Sequence, residues 1–114
     1  MVVEYTRYRI PSERHQEFQT AYGKAQEYLK DSPYCLGYEL SHCTEEPERL
    51  VLRIEWTSTK DHLEGFRRDD SFKEFFALVQ PFIRNIEEMQ HYELTDVAGT
   101  GAGSREMRAH AAPG

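Results

Sequence analysis

Residues 49–56, with the sequence RLVLRIEW, alternate between apolar and other side chains. One parity carries Leu50, Leu52, Ile54 and Trp56, and the other carries Val51, Arg53 and Glu55. A period of two predicts a β-strand with one buried face, which Trp56 closes at the end of the strand.

A helix is predicted to begin directly after this strand. Ser58 and its two threonine neighbours offer side-chain oxygens to the free amides of a first turn, and Asp61 favours the positive end of the helix dipole. Apolar residues then recur at helical spacing up to Pro81, which prevents continuation. The pattern predicts two short helices or one kinked helix.

The remaining pattern predicts strands over Val2–Ile10, Tyr34–His42 and Ile86–Thr95, with a hairpin between the second and third strands. Pro11 and Ser12 begin a helix whose apolar face repeats at i, i+3, i+4 and i+7 as far as Leu29. The predicted order is β-α-β-β-α-β, an α+β fold with a ferredoxin-like antiparallel sheet.

The composition changes after residue 95. Residues 96–114 are rich in Gly and Ala and almost lack large apolar side chains, so they cannot offset the entropy of ordering by burial. We therefore predict one folded domain over residues 1–95 and a flexible tail over 96–114.

Composition limits the classes of partner. Fourteen Lys and Arg against 20 Asp and Glu give a net charge of −6, which disfavours binding to nucleic acid. No apolar run approaches the roughly 20 residues that cross a bilayer, and the N-terminus lacks a signal-peptide pattern. These features predict a cytoplasmic protein without a membrane partner.

Two cysteines, Cys35 and Cys43, lie near the ends of the second predicted strand. Eight residues of extended chain would separate them by roughly 26 Å, too far for a disulfide. Neither has a second Cys or a His at zinc-finger spacing, so both are predicted to be free thiols and no metal site is predicted.

Several strands carry large side chains at both parities, including Tyr5 and Tyr8 in the first strand. A sheet that is apolar on both faces needs a cover on both, and the helices cover only one. We expect a second copy of the chain to cover the other face in a two-fold homodimer.

The segments YCLGYEL, RLVLRIEW, TSTKDH and FRRDDSFKEFF, with the acidic loop around Pro47, resemble the antibiotic biosynthesis monooxygenase family over about residues 1–95. The resemblance implies a dimeric α+β barrel. It also implies a cofactor-independent monooxygenase that oxidises an aromatic or quinol-like small molecule with O2.

Such chemistry requires a base, a polar anchor for a substrate anion and a dry pocket. Trp56 matches the family tryptophan, His62 is a plausible base, and a mid-strand Arg7 could hold an anion. The alternatives are a core tryptophan, a solvated first-turn histidine and a solvent-facing or dimer-pairing arginine row.

Four further residues are predicted to contact substrate: Tyr5, His91, Phe66 and Phe76. His91 is also a second candidate base. Its alternative role is packing at a subunit seam.

Family members that degrade haem resemble this chain in the tryptophan but carry an asparagine on the first strand and a haem-ligating histidine nine or ten residues after the tryptophan. The first strand here offers Thr6 and Arg7, and the later positions are Gly65 and Phe66. Haem degradation therefore ranks behind the oxygenase. Two other hypotheses remain open: a haem- or aromatic-ligand-binding module, as an accessory to a truncated haemoglobin for example, and a catalytically silent dimer.

Overall fold

A computed structural model describes residues 1–104 of the chain. The strands and α-helices follow in the order β1 (Val2–Arg9), α1 (His15–Lys30), β2 (Cys35–His42), β3 (Arg49–Trp56), α2 (Asp70–Val79) and β4 (Ile86–Glu93). This order confirms the β-α-β-β-α-β prediction. Each predicted strand is right within two residues at its ends.

The four strands form one antiparallel sheet in the order β2-β3-β1-β4. The register pairs Val2 with Trp56 across β1 and β3, and Glu4 with His91 across β1 and β4. Both helices cover the same face of this sheet. The ferredoxin-like α+β fold is thereby confirmed.

The core lies between the sheet and the helices. The β3 row that alternation predicted to be buried is 0–3% exposed, with Trp56 fully buried. Helix α1 adds a buried stripe at helical spacing, formed by Phe18, Tyr22, Ala25 and Leu29, and α2 adds Phe75 and Val79. The amphipathic patterns thus assemble one shared core.

Two features of β2 and β1 differ from the expectation of a sheet that is apolar on both faces. A register shift between Cys35 and Gly37 leaves Leu36 54% exposed, while Cys35 packs against the core. On the face away from the helices, Arg7 pairs with Glu88 at 3.7 Å. Charged pairs, rather than a continuous apolar surface, therefore occupy much of that face.

Some apolar surface remains there. Tyr92 is 42% exposed, and its ring meets that of Tyr5 edge to face at 5.3 Å. Arg53 of β3 pairs with Glu39 of β2 and with Glu55 two residues along its own strand. The face away from the helices is thus a mixed surface in which aromatic side chains lie among ion pairs.

The stretch predicted to hold two short helices or one kinked helix contains a π-helical turn (Asp61–Gly65), a 3-10 turn (Phe66–Arg68) and α2, so the chain is helical on both sides of a break. The Ser58 hydroxyl accepts a hydrogen bond from the Asp61 amide at 2.9 Å, and the Asp61 carboxylate accepts one from the Thr57 hydroxyl. Asp61–Gly65 is π-helical, and the chain becomes extended at Asp69, which caps α2. The helix cap at Ser58 is the one that the sequence predicts, and the extended residue Asp69 separates the first helical segment from α2.

Beyond β4, residues 94–103 contain turns but no helix or strand. The rest of the predicted tail, 105–114, lies outside the described residues, and the domain boundary at residue 95 stays a prediction. Cys35 and Cys43 are both free. Within residues 1–104, no helix is long and apolar enough to cross a membrane.

Candidate functional site

A cavity of about 170 Å³ lies between the sheet and the segment that contains the π-helix and α2. Most of its lining is apolar and aromatic, with contributions from Ile54, Trp56, Phe66 and Phe75. Phe76, which is 40% exposed, also lines it and lies toward solvent. A lining of this kind favours an apolar ligand with limited polar contacts.

Polar groups gather at the β1 side of this cavity. Glu4 is buried, and its two carboxylate oxygens have separate donors. The Trp56 indole N–H donates to Oε1 at 2.9 Å, and the Thr6 hydroxyl donates to Oε2 at 2.5 Å. These two bonds fix the orientation of the carboxylate, because each donor is itself buried in the sheet.

His62 extends this cluster from the π-helical turn. Its ring stacks on the Trp56 indole with 4.2 Å between centroids and 8° between planes. Its Nδ1 lies 3.5 Å from Glu4 Oε1 and 2.7 Å from Nε2 of His91. The cluster therefore joins β1, β3, the π-helix and β4.

Burial, together with the nearby Arg67 and His91, lowers the pKa of His62 to about 3. The imidazole is consequently neutral at physiological pH, and one ring nitrogen carries a lone pair. A proton added to this ring would have the Glu4 carboxylate as its neighbour at 3.5 Å.

The structure brings four of the predicted site residues to this cavity. Trp56, His62, Phe66 and Phe76 all line it. His91 contacts His62 Nδ1 from β4 and is half-buried. His62 is 3% exposed, so the alternative of a solvated first-turn histidine is wrong.

The structure places Arg7 and Tyr5 elsewhere, which corrects their predicted roles. Both project from the face of β1 away from the helices, where Arg7 is exposed, pairs with Glu88 and lies over the Tyr5 ring. The physical reason is parity: the side chains of Glu4 and Thr6 face the cavity, so those of Tyr5 and Arg7 face away. Neither residue can anchor a ligand in this cavity.

Glu4 and Thr6 are the site residues that sequence reasoning missed. They share parity with Val2 and Tyr8, which are buried. The available signal was the presence of an acidic and a hydroxyl side chain in an otherwise apolar row of β1. Such a pair indicates a buried polar cluster, because buried polar groups require hydrogen-bond partners. Their partner Trp56 lies 52 residues from Glu4, so the register was needed to connect them.

The cluster offers two kinds of chemistry. A carboxylate and an imidazole lone pair beside an apolar cavity can accept a proton from a bound ligand. Glu4, His62 and His91 also each present one potential ligand atom for a metal ion, within 4.8 Å of one another. Spacing along the sequence gave no sign of this set, because its members come from three separate elements.

Comparison with known proteins gives a consistent result. A family model described as antibiotic biosynthesis monooxygenase matches residues 1–78. The uncharacterized protein YczJ of Bacillus subtilis is 30% identical over 93 residues, which cover 82% of this chain and 98% of that protein.

Solved structures extend the comparison to the fold. A protein from Bordetella bronchiseptica, named provisionally as an antibiotic biosynthesis monooxygenase, has a TM-score of 0.69 at 22% identity, covering 82% of this chain and 96% of that one. A conserved protein from Methanosarcina mazei Go1 has a TM-score of 0.67 at 24% identity, covering 82% and 92%. At this identity the likeness concerns the fold alone.

Proposed function

Since this chain belongs to the antibiotic biosynthesis monooxygenase family, we propose that it is a cofactor-independent monooxygenase that oxidises a small aromatic or quinol-like molecule with O2. The observation that carries the proposal is the apolar cavity with Glu4 and His62 at one side. An aromatic ring would fill the apolar part, and an acidic O–H or C–H group would meet the polar part.

The size of the cavity narrows the substrate class. An apolar cavity of about 150 Å³ accommodates benzene. The cavity here measures about 170 Å³ and is open toward solvent near Phe76. A single-ring substrate therefore fits the structure as it stands, and a fused three-ring substrate would require side chains at the opening to move.

The reaction needs a substrate that is acidic enough to form a carbanion. In the proposed course for an enolisable aromatic ketone, an activated methylene C–H bond breaks, its proton passes to the cluster, and the carbanion donates electrons to O2 as a C–O bond forms. The cluster returns the proton to the peroxide. Loss of water then leaves a carbonyl, so that one methylene and one O2 become one carbonyl and one water.

Each residue of the cluster has a distinct part in this proposal. The lowered pKa of His62 makes its ring a weak base, so proton transfer to His62 requires the Glu4 carboxylate, 3.5 Å away, to stabilise the imidazolium that forms. His91 positions the His62 ring through the 2.7 Å contact with Nδ1. Trp56 forms a wall of the cavity and holds Glu4 through its indole N–H.

Oxygen consumption with a panel of single-ring quinols and enolisable aromatic ketones tests the proposal. We expect uptake by the full chain, at least a hundredfold loss in His62→Ala from removal of the base, and no loss in the matched variant His42→Ala. His42 is exposed and lies outside the cavity. Equal uptake by His62→Ala and the unchanged chain would refute the assigned role of His62.

A binding module for haem or an aromatic ligand is the competing proposal, and the same cavity supports its aromatic form. Haem has less support, because the His62 ring lies flat against Trp56 and its Nδ1 already faces Glu4 and His91. Titration with hemin distinguishes haem binding from binding of another aromatic ligand, because only a haem-binding module gives a saturable Soret shift. A silent dimer predicts that no aromatic compound raises the melting temperature.

We also propose that a second copy of the chain covers the sheet face that carries Tyr5 and Tyr92, and that the dimer acts in the cytoplasm. The edge-to-face pair of Tyr5 and Tyr92, with Tyr92 42% exposed, supplies apolar surface for such an interface. Sedimentation equilibrium should give twice the 13.4 kDa mass of the chain. A monomer at micromolar concentration would rule this dimer out, and cell fractionation checks the location.

The domain boundary is a separate proposal. Because no helix or strand follows β4 up to residue 103, we expect residues 1–95 to form the protease-resistant domain. Limited proteolysis with mass spectrometry should find the first cuts after residue 95. Early cuts within β4 would place the boundary elsewhere.

A further inference from the structure

We propose that Glu4, His62 and His91 form a binding site for one divalent transition-metal ion, with an open coordination position toward the cavity. This inference concerns binding alone and does not depend on the proposed oxygenase activity. The donor set consists of two imidazoles and one carboxylate, contributed by β1, the π-helix and β4.

The geometry matches what such an ion requires. Zinc binds histidine nitrogen and carboxylate oxygen at about 2.0–2.2 Å, so two ligands of one ion lie roughly 3–3.5 Å apart. His62 Nδ1 lies 3.5 Å from Glu4 Oε1 and 2.7 Å from His91 Nε2, and all three ligand atoms fall within 4.8 Å of one another. Small side-chain movements would bring them around one ion.

Among residues 1–104, this is the one group of three that meets the distance condition. Its surroundings also resemble a supported ligand set, because a ligating carboxylate is ordinarily held by further hydrogen bonds. Glu4 accepts such bonds from Trp56 and Thr6. Both donors remain available while an oxygen of Glu4 binds a metal, since each carboxylate oxygen has two lone pairs.

The open position follows from the cavity. Glu4 and His62 both line it, so a water molecule or a ligand in the cavity could complete the coordination. Two histidines and one carboxylate with open positions suit Zn²⁺, Fe²⁺ and Co²⁺. Arg67 also lines the cavity, and its charge opposes a dication there, but Arg67 is exposed, so solvent weakens this repulsion.

A metal held here would occupy the lone pairs that the metal-free oxygenase reaction uses. Zinc-loaded protein is therefore expected to lose oxygen uptake if the metal-free protein has it.

The test uses the full chain without a purification tag, stripped of metal by a chelator and titrated with Zn²⁺ by calorimetry. We expect saturable binding of one ion per chain. Titration with Co²⁺ should produce the visible absorption of a tetrahedral or five-coordinate site.

Two variants assign the site. Loss of an outer hydrogen-bond partner typically weakens a metal site 10–100-fold, so Thr6→Val should weaken zinc binding by about that factor. Removal of a ligand in His91→Ala should weaken it by at least about a hundredfold. His91 is half-buried on an edge strand, so this change is compatible with the fold, which circular dichroism checks.

His42→Ala is the matched control. His15 and His42 form a second histidine pair with ring centroids 5.1 Å apart, outside the cavity, and could bind metal adventitiously. Undiminished binding in His42→Ala supports the proposed site. Absence of one-to-one binding, equal affinity in His91→Ala, or loss of binding in His42→Ala would each overturn it.

Discussion

The hydroxyl of Thr6 offers the sharpest test of the buried cluster. It donates to Glu4 Oε2 at 2.5 Å, and both residues are at most 3% exposed. Thr6→Val keeps the branched shape of the side chain and removes only this donor. The carboxylate would then retain the Trp56 indole as its donor on the other oxygen.

The magnitude follows from the charge and the burial. A hydrogen bond to a charged group contributes about 1.5–3 kcal/mol, and a buried carboxylate that loses one cannot recover it from water. We expect Thr6→Val to lower the free energy of unfolding by about 2 kcal/mol. For a domain of this size, that corresponds to a fall in Tm of roughly 8–16 °C.

An exposed hydrogen bond between a threonine hydroxyl and a carboxylate serves as the control for the buried one. Thr44 donates to Glu45 at 2.6 Å, and both residues are exposed. Thr44→Val should change stability by less than about 0.5 kcal/mol, because water replaces the lost partner. The contrast between these two variants isolates burial as the cause.

The assay is urea unfolding at a fixed protein concentration, followed by far-UV circular dichroism and by the fluorescence of Trp56, the single tryptophan of the chain. With m near 2 kcal/mol/M, the midpoint of Thr6→Val should fall by about 1 M. If Thr6→Val and Thr44→Val have equal midpoints, the Thr6–Glu4 bond is not a stabilising element and the reasoning fails.

Three other predictions follow from the packing and the charges. Gly65→Ala should destabilise the fold by about 1–3 kcal/mol, because the added Cβ would lie 2.7 Å from the Tyr34 ring. Gly23→Ala, where the added Cβ would meet open space, should instead stabilise α1 by about 0.5–1 kcal/mol. A higher Tm for Gly65→Ala than for Gly23→Ala in thermal unfolding would contradict this prediction. Burial raises the pKa of Tyr8 to about 12, above its ordinary value of 10, so its contribution to stability is complete below pH 10 and is lost as the pH rises toward 12. Urea midpoints measured across that range should fall less steeply in Tyr8→Phe, and parallel slopes would refute the assignment. Ser58→Ala should cost about 1 kcal/mol, because the Asp61 amide loses its acceptor, and an unchanged Tm would show that water replaces the cap.

The fold was predictable because its signals are local. The alternation in 49–56, the Ser58 cap and the periodic stripe of α1 each specify one element without reference to the others. The bulge at Leu36 was not predictable, because it depends on how β2 pairs with β3. The same holds for the charged face of the sheet, where the ion pairs join different strands.

The candidate site was predictable only where its residues are close in sequence. Trp56 and His62 lie six residues apart, and the predicted turn between them brings their rings together. Arg7 was misplaced because Val2 and Val3 are both apolar and both buried, which hides the parity of β1. Only the pairing of Val2 with Trp56 shows which parity faces the helices, and that pairing spans 54 positions.

The π-helical turn links the fold to the candidate chemistry. The His62 amide still bonds to the Ser58 carbonyl at 3.1 Å, so the turn begins as an ordinary helix, and the wider π spacing follows from Asp61 to Gly65. Gly65 packs directly under the Tyr34 ring, where a Cβ has no room. This close packing holds the turn against the residue that precedes β2, and the same turn holds the His62 ring on Trp56. Removing the fold-defining turn would therefore also remove the stacked histidine that both the proton-accepting role and the metal site require.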